Sequence, residues 1–228
     1  MIREEINKRQ YRNIVKSING GYIYKENGKL YKLDKTYSND MLTRRRIFHD
    51  SREINVDQIE WLSGMRFAVV KSSLPEGLLI YDHEPVGIIY PRYFEVYNPL
   101  NDVYKEDTDL MLGNIRKAVE NNLELTSHDI YNADFAAKNV LYKGSDVQLI
   151  DLDGKHIKRS SYSNYNQVYS YFMDDFFRIA YKKLVSIYGK DKHDIIRREL
   201  IKIFPNPMNG YEENTPLEVL DKLERILK

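Results

Sequence analysis

The hydrophobic pattern changes period part-way along the chain, and that change restricts the fold more than any other feature. Up to residue 91 the apolar and aromatic residues fall in short runs broken by Gly, Asn and Pro, the pattern of strands. After Pro99 they recur near one and two helical turns, as Leu110, Leu112, Ile115, Val119 and Leu123 do. A chain of 228 residues that begins as sheet and ends as helix is expected to form an α+β fold of two lobes, here 1–91 and 92–228.

In the first lobe, Tyr11 to Ile18 reads as a first strand, Gly20-Gly21 as a break, and Tyr22 to Lys25 and Lys29 to Leu33 as the arms of a hairpin. Asn27-Gly28 between those arms is a strong two-residue turn signal, because both turn positions favour positive φ. From Asp40 to Met65 the apolar residues Ile47, Ile54, Ile59 and Leu62 stand among charges, which predicts one amphipathic helix ending near Gly64. Strands are expected at Phe67 to Lys71, Gly77 to Tyr81 and Val86 to Tyr90. In the second lobe a long helix is expected from about Asn166 to Tyr188, capped by Gly189. A short hairpin, Asn139 to Tyr142 and Val147 to Asp151, precedes it, and two helices separated by Pro205-Asn206-Pro207 follow.

Composition removes several function classes. Thirty-five Lys and Arg against 34 Asp and Glu leave a net charge of +1, so nothing draws the chain as a whole toward nucleic acid or an anionic membrane. With zero cysteines it has neither a disulfide framework nor thiolate metal ligands, and its five histidines lack metal-ligand spacing. The first residues are charged, and no segment reaches the ~20 apolar residues of a membrane span. The expectation is a cytoplasmic protein with no membrane partner. Arg44-Arg45-Arg46 reads as a solvated helix face, and Ser160-Ser161-Tyr162-Ser163 as a polar loop.

The sharpest constellation is Asn132-Ala133-Asp134-Phe135-Ala136-Ala137-Lys138-Asn139, followed after the hairpin by Leu149-Ile150-Asp151-Leu152-Asp153-Gly154. It resembles the catalytic and metal-binding loops of the protein-kinase-like superfamily, where an Asp is followed five residues later by an Asn and a hairpin delivers a second Asp. Such a site must orient an acceptor hydroxyl, take its proton, and hold Mg2+ on oxygen ligands against a triphosphate. The resemblance implies Asp134 as the catalytic Asp and Asn139 and Asp151 as metal ligands. Asp153 is then left with a supporting role, since Ile-Asp-Leu-Asp matches the Ile-Asp-Phe-Asp pattern of aminoglycoside phosphotransferase-like kinases.

Other parts of the family pattern follow in order. Lys32 lies on the strand after Asn27-Gly28, where a lysine would reach the α and β phosphates, and Gly20-Gly21 stands where backbone approaches them. Glu53 and Glu60 are both placed to pair with that lysine; Glu53 is favoured, because it leaves about two helical turns before the next strand. The run from Pro85 to Phe94 resembles the strand into the interlobe hinge, with Tyr90 and Arg92 offering main-chain atoms to adenine. The run from Asp174 to Ala180 resembles the start of the helix whose buried Asp braces the catalytic loop.

The departures are specific. Asn132 stands where the family usually has His, there is no G-x-G-x-x-G, no Ala-Pro-Glu follows Asp151, and only 24 residues separate Asp151 from Asp175. These favour an atypical kinase or a small-molecule phosphotransferase, although Asp-Phe-Ala-Ala-Lys-Asn is similar to the loop of tyrosine kinases, with Lys138 in place of Arg. The expectation is a bilobal protein-kinase-like fold with a small antiparallel-sheet N-lobe carrying one helix and a mainly helical C-lobe. ATP and Mg2+, with Mn2+ as the alternative ion, would lie between the lobes. The reaction would transfer the γ-phosphoryl group to a hydroxyl of a protein side chain or a small molecule, with Lys138 steadying the group in flight. The rival expectation is a pseudokinase serving as a nucleotide-binding or interaction module.

Overall fold

A computed structural model describes residues 1–17, 23–26, 29–33, 56–65, 74–91, 96–128, 130–132, 134–152, 157–159, 165–206, 211–212 and 214–228. Residues 14–17, 23–26, 33, 157–159 and 165–167 enter as backbone alone. The chain divides into two compact units, Met1–Glu95 with Leu152–Lys155, and Val96–Asp151 with His156–Lys228.

The first unit is built on a five-stranded sheet of β1 (Ile2–Glu5), β2 (Ile23–Glu26), β3 (Lys29–Leu33), β4 (Gly77–Tyr81) and β5 (Glu84–Tyr90), in the order β1-β4-β5-β3-β2. β1 is parallel to β4, and the other pairs are antiparallel. Glu26 opposes Lys29, the register that a two-residue Asn-Gly connection requires; the turn itself lies outside the described residues. β4 and β5 turn through Asp82 and His83, both at positive φ of 53° and 66°, so this hairpin uses a primed turn without glycine. β1 comes so close to β4 that a Cβ on Gly77 would stand 2.1 Å from the carbonyl oxygen of Ile2. Only glycine admits that pairing.

The segment expected as a first strand, Tyr11 to Ile18, is helical as far as it is described, in α1 (Lys8–Ser17). Its start explains why. Asn7 Oδ1 accepts the backbone N–H of Arg9 and of Gln10, each at 3.0 Å, and Gln10 Oε1 accepts the N–H of Asn7 at 2.9 Å. This reciprocal box satisfies three backbone donors and fixes the helix origin. Tyr11, Ile14, Val15 and Ile18 also recur at i, i+3, i+4 and i+7, a helical spacing carried by residue types that favour strands. With α2 (Val56–Gly64), the first unit therefore has two helices among the described residues, where one was expected. α2 stops at Gly64; the earlier part of the expected helix, and the expected strand Phe67 to Lys71, lie outside the described residues.

The two helices cover opposite faces of the sheet. Tyr11 of α1 packs with Tyr31, Leu79, Val86 and Ile89 and stacks on Tyr81 at 4.6 Å between ring centroids. Ile59 of α2 packs with Leu78, Ile88, Tyr90 and Leu30. Neighbours such as Leu78 and Leu79 thus serve different cores, as the two-residue period of a strand dictates.

The second unit starts with β6 (Asn98–Pro99), a 3-10 turn over Leu100–Lys105 and α3 (Thr108–Ser127), which is capped by Asp107 Oδ1 on the N–H of Leu110 at 2.8 Å. Next come β7 (Ile130–Asn132), β8 (Val140–Lys143), β9 (Asp146–Leu149) and β10 (Ile157–Arg159), then α4 (Tyr165–Tyr188), α5 (His193–Ile203) and α6 (Thr215–Leu227). β6, β8 and β9 make a three-stranded sheet, and β7 pairs with β10. α4 ends before Gly189 at φ 91°, as its sequence anticipates. No described helix is long and apolar enough to cross a membrane.

α3 holds the β8–β9 hairpin by three bonds from one of its faces. Asn114 Nδ2 donates to the carbonyl of Gly144 at 2.9 Å, Lys117 Nζ to that of Ser145 at 2.7 Å, and Asn121 Nδ2 to that of Val147 at 3.0 Å. Polar residues at i, i+3 and i+7 of this amphipathic helix thereby satisfy three carbonyls of the hairpin.

Candidate active site

The loop between β7 and β8 is anchored by a side chain that takes no part in chemistry. Phe135 is fully buried, stacks on Phe172 of α4 with centroids 4.2 Å apart, and meets Tyr169 edge-on at 6.2 Å. Aromatic pairs of this kind add about 0.5–1.5 kcal/mol to the burial of their surface, enough to pin a short loop to a helix. Ala136 and Ala137 are buried beside it, and the N–H of Ala137 donates to Asp175 Oδ2 of α4 at 2.9 Å. Of Asp174 and Asp175 it is Asp175 that braces the loop; it stands within α4, not at its start, and is half-buried where a buried Asp was expected.

On that foundation the loop gathers its polar side chains. Asn139 Nδ2 donates both to the carbonyl oxygen and to Oδ2 of Asp134, each at 2.9 Å, and Lys138 Nζ lies 3.6 Å from Asp134 Oδ1. Asp134 remains 21% exposed at its side chain and Lys138 63%, so a substrate atom has access to both. The chain then runs through β8 and β9 and returns: the N–H of Ile150 donates to the carbonyl of Asn139 at 2.9 Å. Asp151 follows immediately, exposed and at φ 66°. Asp is among the few residues that accept a left-handed backbone, and strain of this type concentrates at functional sites.

The donor chemistry suits a hard cation. Asn139 commits its Nδ2 to Asp134, so Oδ1 is the atom it could offer a cation, and Asp151, a carboxylate, follows the residue bonded to its carbonyl. Mg2+ is commonly held by one or two such side-chain oxygens with water and phosphate completing the shell. Among the described residues there is no cluster of three His, Cys, Asp or Glu that would form an all-protein cage.

Of the other residues singled out from sequence, Lys32 and Tyr90 lie on adjacent strands of the first unit. Lys32 opposes Ile88 in the β3–β5 ladder and shares a strand face with Leu30, which packs into the core under α2; Tyr90 is the last residue of β5 and opposes Leu30. Lys32 is therefore on the sheet face that α2 covers, and Glu60 of α2 is exposed. Gly20, Gly21, Glu53, Arg92 and Asp153 lie outside the described residues. The structure thus joins Asp134, Lys138 and Asn139 through their side chains, and Asp151 follows the residue whose N–H is bonded to the Asn139 carbonyl. Sequence reasoning missed the hairpin ties from Asn114, Lys117 and Asn121, whose only signal is their spacing, and the bond made by the side chain of Asn132, whose Oδ1 accepts the N–H of Asp134 at 3.2 Å.

No family model matches the sequence, and no curated protein matches it. Solved structures do. A divergent kinase lacking the glycine-rich loop, which regulates membrane ultrastructure of the Toxoplasma parasitophorous vacuole, superimposes with a TM-score of 0.53 at 11% identity over 97% of this chain and 90% of that one. The PAN3 pseudokinase of Neurospora crassa gives a TM-score of 0.46 at 9% identity over 87% of this chain and 54% of its own. A mixed sheet flanked by helices, a mainly helical second unit and near-complete coverage of the first of these structures make this a protein-kinase-like fold.

Proposed function

We propose that the chain is an ATP-dependent phosphotransferase that moves the γ-phosphoryl group to a hydroxyl of a protein side chain or a small molecule. One observation carries the reading. The amide of Asn139 grips the Asp134 carboxylate, while its backbone carbonyl is bonded to Ile150, so the candidate base and the candidate ligand Asn139 share one hydrogen-bonded frame, and Asp151 is the next residue after the one that closes it. Preorganisation of this sort is what phosphoryl transfer asks of a protein, since the reaction needs positioning and charge stabilisation more than covalent chemistry.

The roles follow from the atoms available. Asp134 receives the acceptor O–H and takes its proton as the oxygen bonds to the γ-phosphorus, while the bond from that phosphorus to the β–γ bridging oxygen breaks and ADP leaves with the electron pair. Lys138, exposed and loosely paired, offers its ammonium to the charge on the transferred group. Lys32 serves the α and β phosphates, and main-chain atoms near Tyr90 serve adenine. Asn139 and Asp151 would hold Mg2+, or Mn2+, which when bound supplies charge neutralisation on the phosphates.

A pseudokinase that binds nucleotide without turning it over is the second reading. Asn132 in place of the usual His and the lack of a G-x-G-x-x-G favour it, and the neighbour at TM-score 0.53 is itself described as divergent and without the glycine-rich loop. Thermal melting with ATP tests what both readings share. At about a hundredfold excess over Kd a ligand bound only by the folded state adds about 2.7 kcal/mol. The expected result is a metal-dependent rise in Tm that shrinks in Lys32→Ala and loses its metal dependence in Asp151→Ala. No rise at millimolar ATP, with or without metal, would remove both readings.

A further inference from the structure

We infer that Asn132 is a positioning residue for Asp134, setting the backbone from which the carboxylate projects. Asn132 ends β7, where its register partner is Ile157 of β10, and it is 4% exposed. Its side-chain Oδ1 accepts the N–H of Asp134 at 3.2 Å, and its main-chain carbonyl accepts the N–H of Phe135 at 3.3 Å. Both acceptors of one strand residue thus close the turn that presents Asp134. Asn and Asp are the side chains best built for this, because their oxygen reaches the backbone two residues on.

The bond complements the one from the other side of the loop. Asn139 grips the carbonyl and carboxylate oxygens of Asp134, and Asn132 holds its nitrogen. With both in place, Asp134 is bonded at three atoms to two nearly buried side chains, one on the end of a paired strand and one on the 3-10 turn that Ala137–Asn139 forms. Without Asn132 the amide end of that grip is open, and the carboxylate inherits the freedom of the turn. The catalytic part of this inference rests on the phosphotransferase reading; the positioning part does not.

The test compares Asn132→Leu, nearly isosteric and without an acceptor, with Asn132→Asp, which keeps the acceptor. Amide hydrogen exchange at Asp134, read by NMR, reports the bond directly. Exchange is expected to speed up between about twofold and tenfold in Asn132→Leu, the worth of one net hydrogen bond, and to stay near the parent rate in Asn132→Asp. In phosphoryl transfer Asn132→Leu is expected to lower kcat by about 10- to 100-fold with KM for ATP unchanged, the cost of a misplaced reacting group. Asn132→Asp, which keeps the acceptor, should restore most of kcat. Should Asn132→Leu fail to fold, Asn132→Ala carries the same expectations. Unchanged exchange at Asp134 in the variants without an acceptor, or an Asn132→Asp protein as impaired as Asn132→Leu in both measurements, overturns the inference. If the parent transfers no phosphoryl group, the phosphotransferase reading fails by itself, and the exchange result alone decides the positioning.

Discussion

The backbone N–H of Ala137 donates to the carboxylate of Asp175 at 2.9 Å, joining two residues 38 apart in the chain and fixing the loop that carries Asp134 to the long helix α4. A hydrogen bond to a charged acceptor is worth about 1.5–3 kcal/mol. Asp175→Ala is expected to lower unfolding free energy in urea by about that amount, and Asp175→Asn, which retains an acceptor oxygen, by less than half as much. Equal losses in the two variants would show that the bond is not what holds the loop.

Gly77 sets the edge of the first sheet. A methyl group there would meet the carbonyl of Ile2, so Gly77→Ala must push β1 off β4. We expect a loss of about 1–3 kcal/mol, in the range of other overpacked sites, with faster amide exchange confined to the β1–β4 ladder. Parental exchange along Ile2–Glu5 would contradict the close approach.

Asn121 tests whether α3 steadies the segment that ends at Asp151. Asn121→Leu leaves the Val147 carbonyl without its donor, a deficit of about 1–3 kcal/mol for a buried group. It is also expected to weaken Mg2+-dependent nucleotide binding, measured by calorimetry, while metal-free affinity stays at the parent value. Lys117→Ala removes an exposed bond to the same hairpin and is expected to change neither by more than the ~0.5 kcal/mol typical of surface positions.

Tyr142 gives the second unit a pH-dependent element. Burial first, and then its bond to Glu106 Oε1 at 2.9 Å, push its phenol pKa well above the ordinary value. The folded state therefore keeps a proton that the unfolded chain loses near pH 10, so this contribution is complete below about pH 10 and fades as the pH rises further. Tyr142→Phe is expected to cost about 1 kcal/mol at neutral pH and to have a flatter alkaline decline, the two stability curves converging above about pH 10. Parallel curves would rule out Tyr142 as the source.

Much of this architecture is legible in the sequence where a short-range rule governs it. Asn27-Gly28 specifies the register of β2 and β3, Gly189 marks the end of α4, and the spacing from Asp134 through Asn139 to Asp151 marks a loop, a hairpin and a return. Legibility fails where residue type and position disagree. Tyr11, Ile14 and Val15 favour strands by type but obey the helical period, and Asn7 with Gln10 decides the matter one turn earlier. β1 is four residues of mostly charged sequence, and its pairing depends on the absent side chain of Gly77 some seventy positions away. The turn at Asp82-His83 has no glycine to announce it. In the candidate site, the resemblance marks the helix that supplies Asp175 to Ala137, whereas the bond from Asn132 to the backbone of Asp134 leaves no periodic trace.

The measurement that bears most directly on the central claim is consumption of ATP labelled in its γ-phosphoryl group, with Mg2+ or Mn2+, by the parent and by Asp134→Asn. The account expects both proteins to bind nucleotide alike and the variant to turn it over roughly 10²- to 10⁴-fold more slowly, the usual contribution of a positioned base. A parent that binds ATP but consumes it no faster than Asp134→Asn would contradict the account and leave the fold as a nucleotide-binding scaffold.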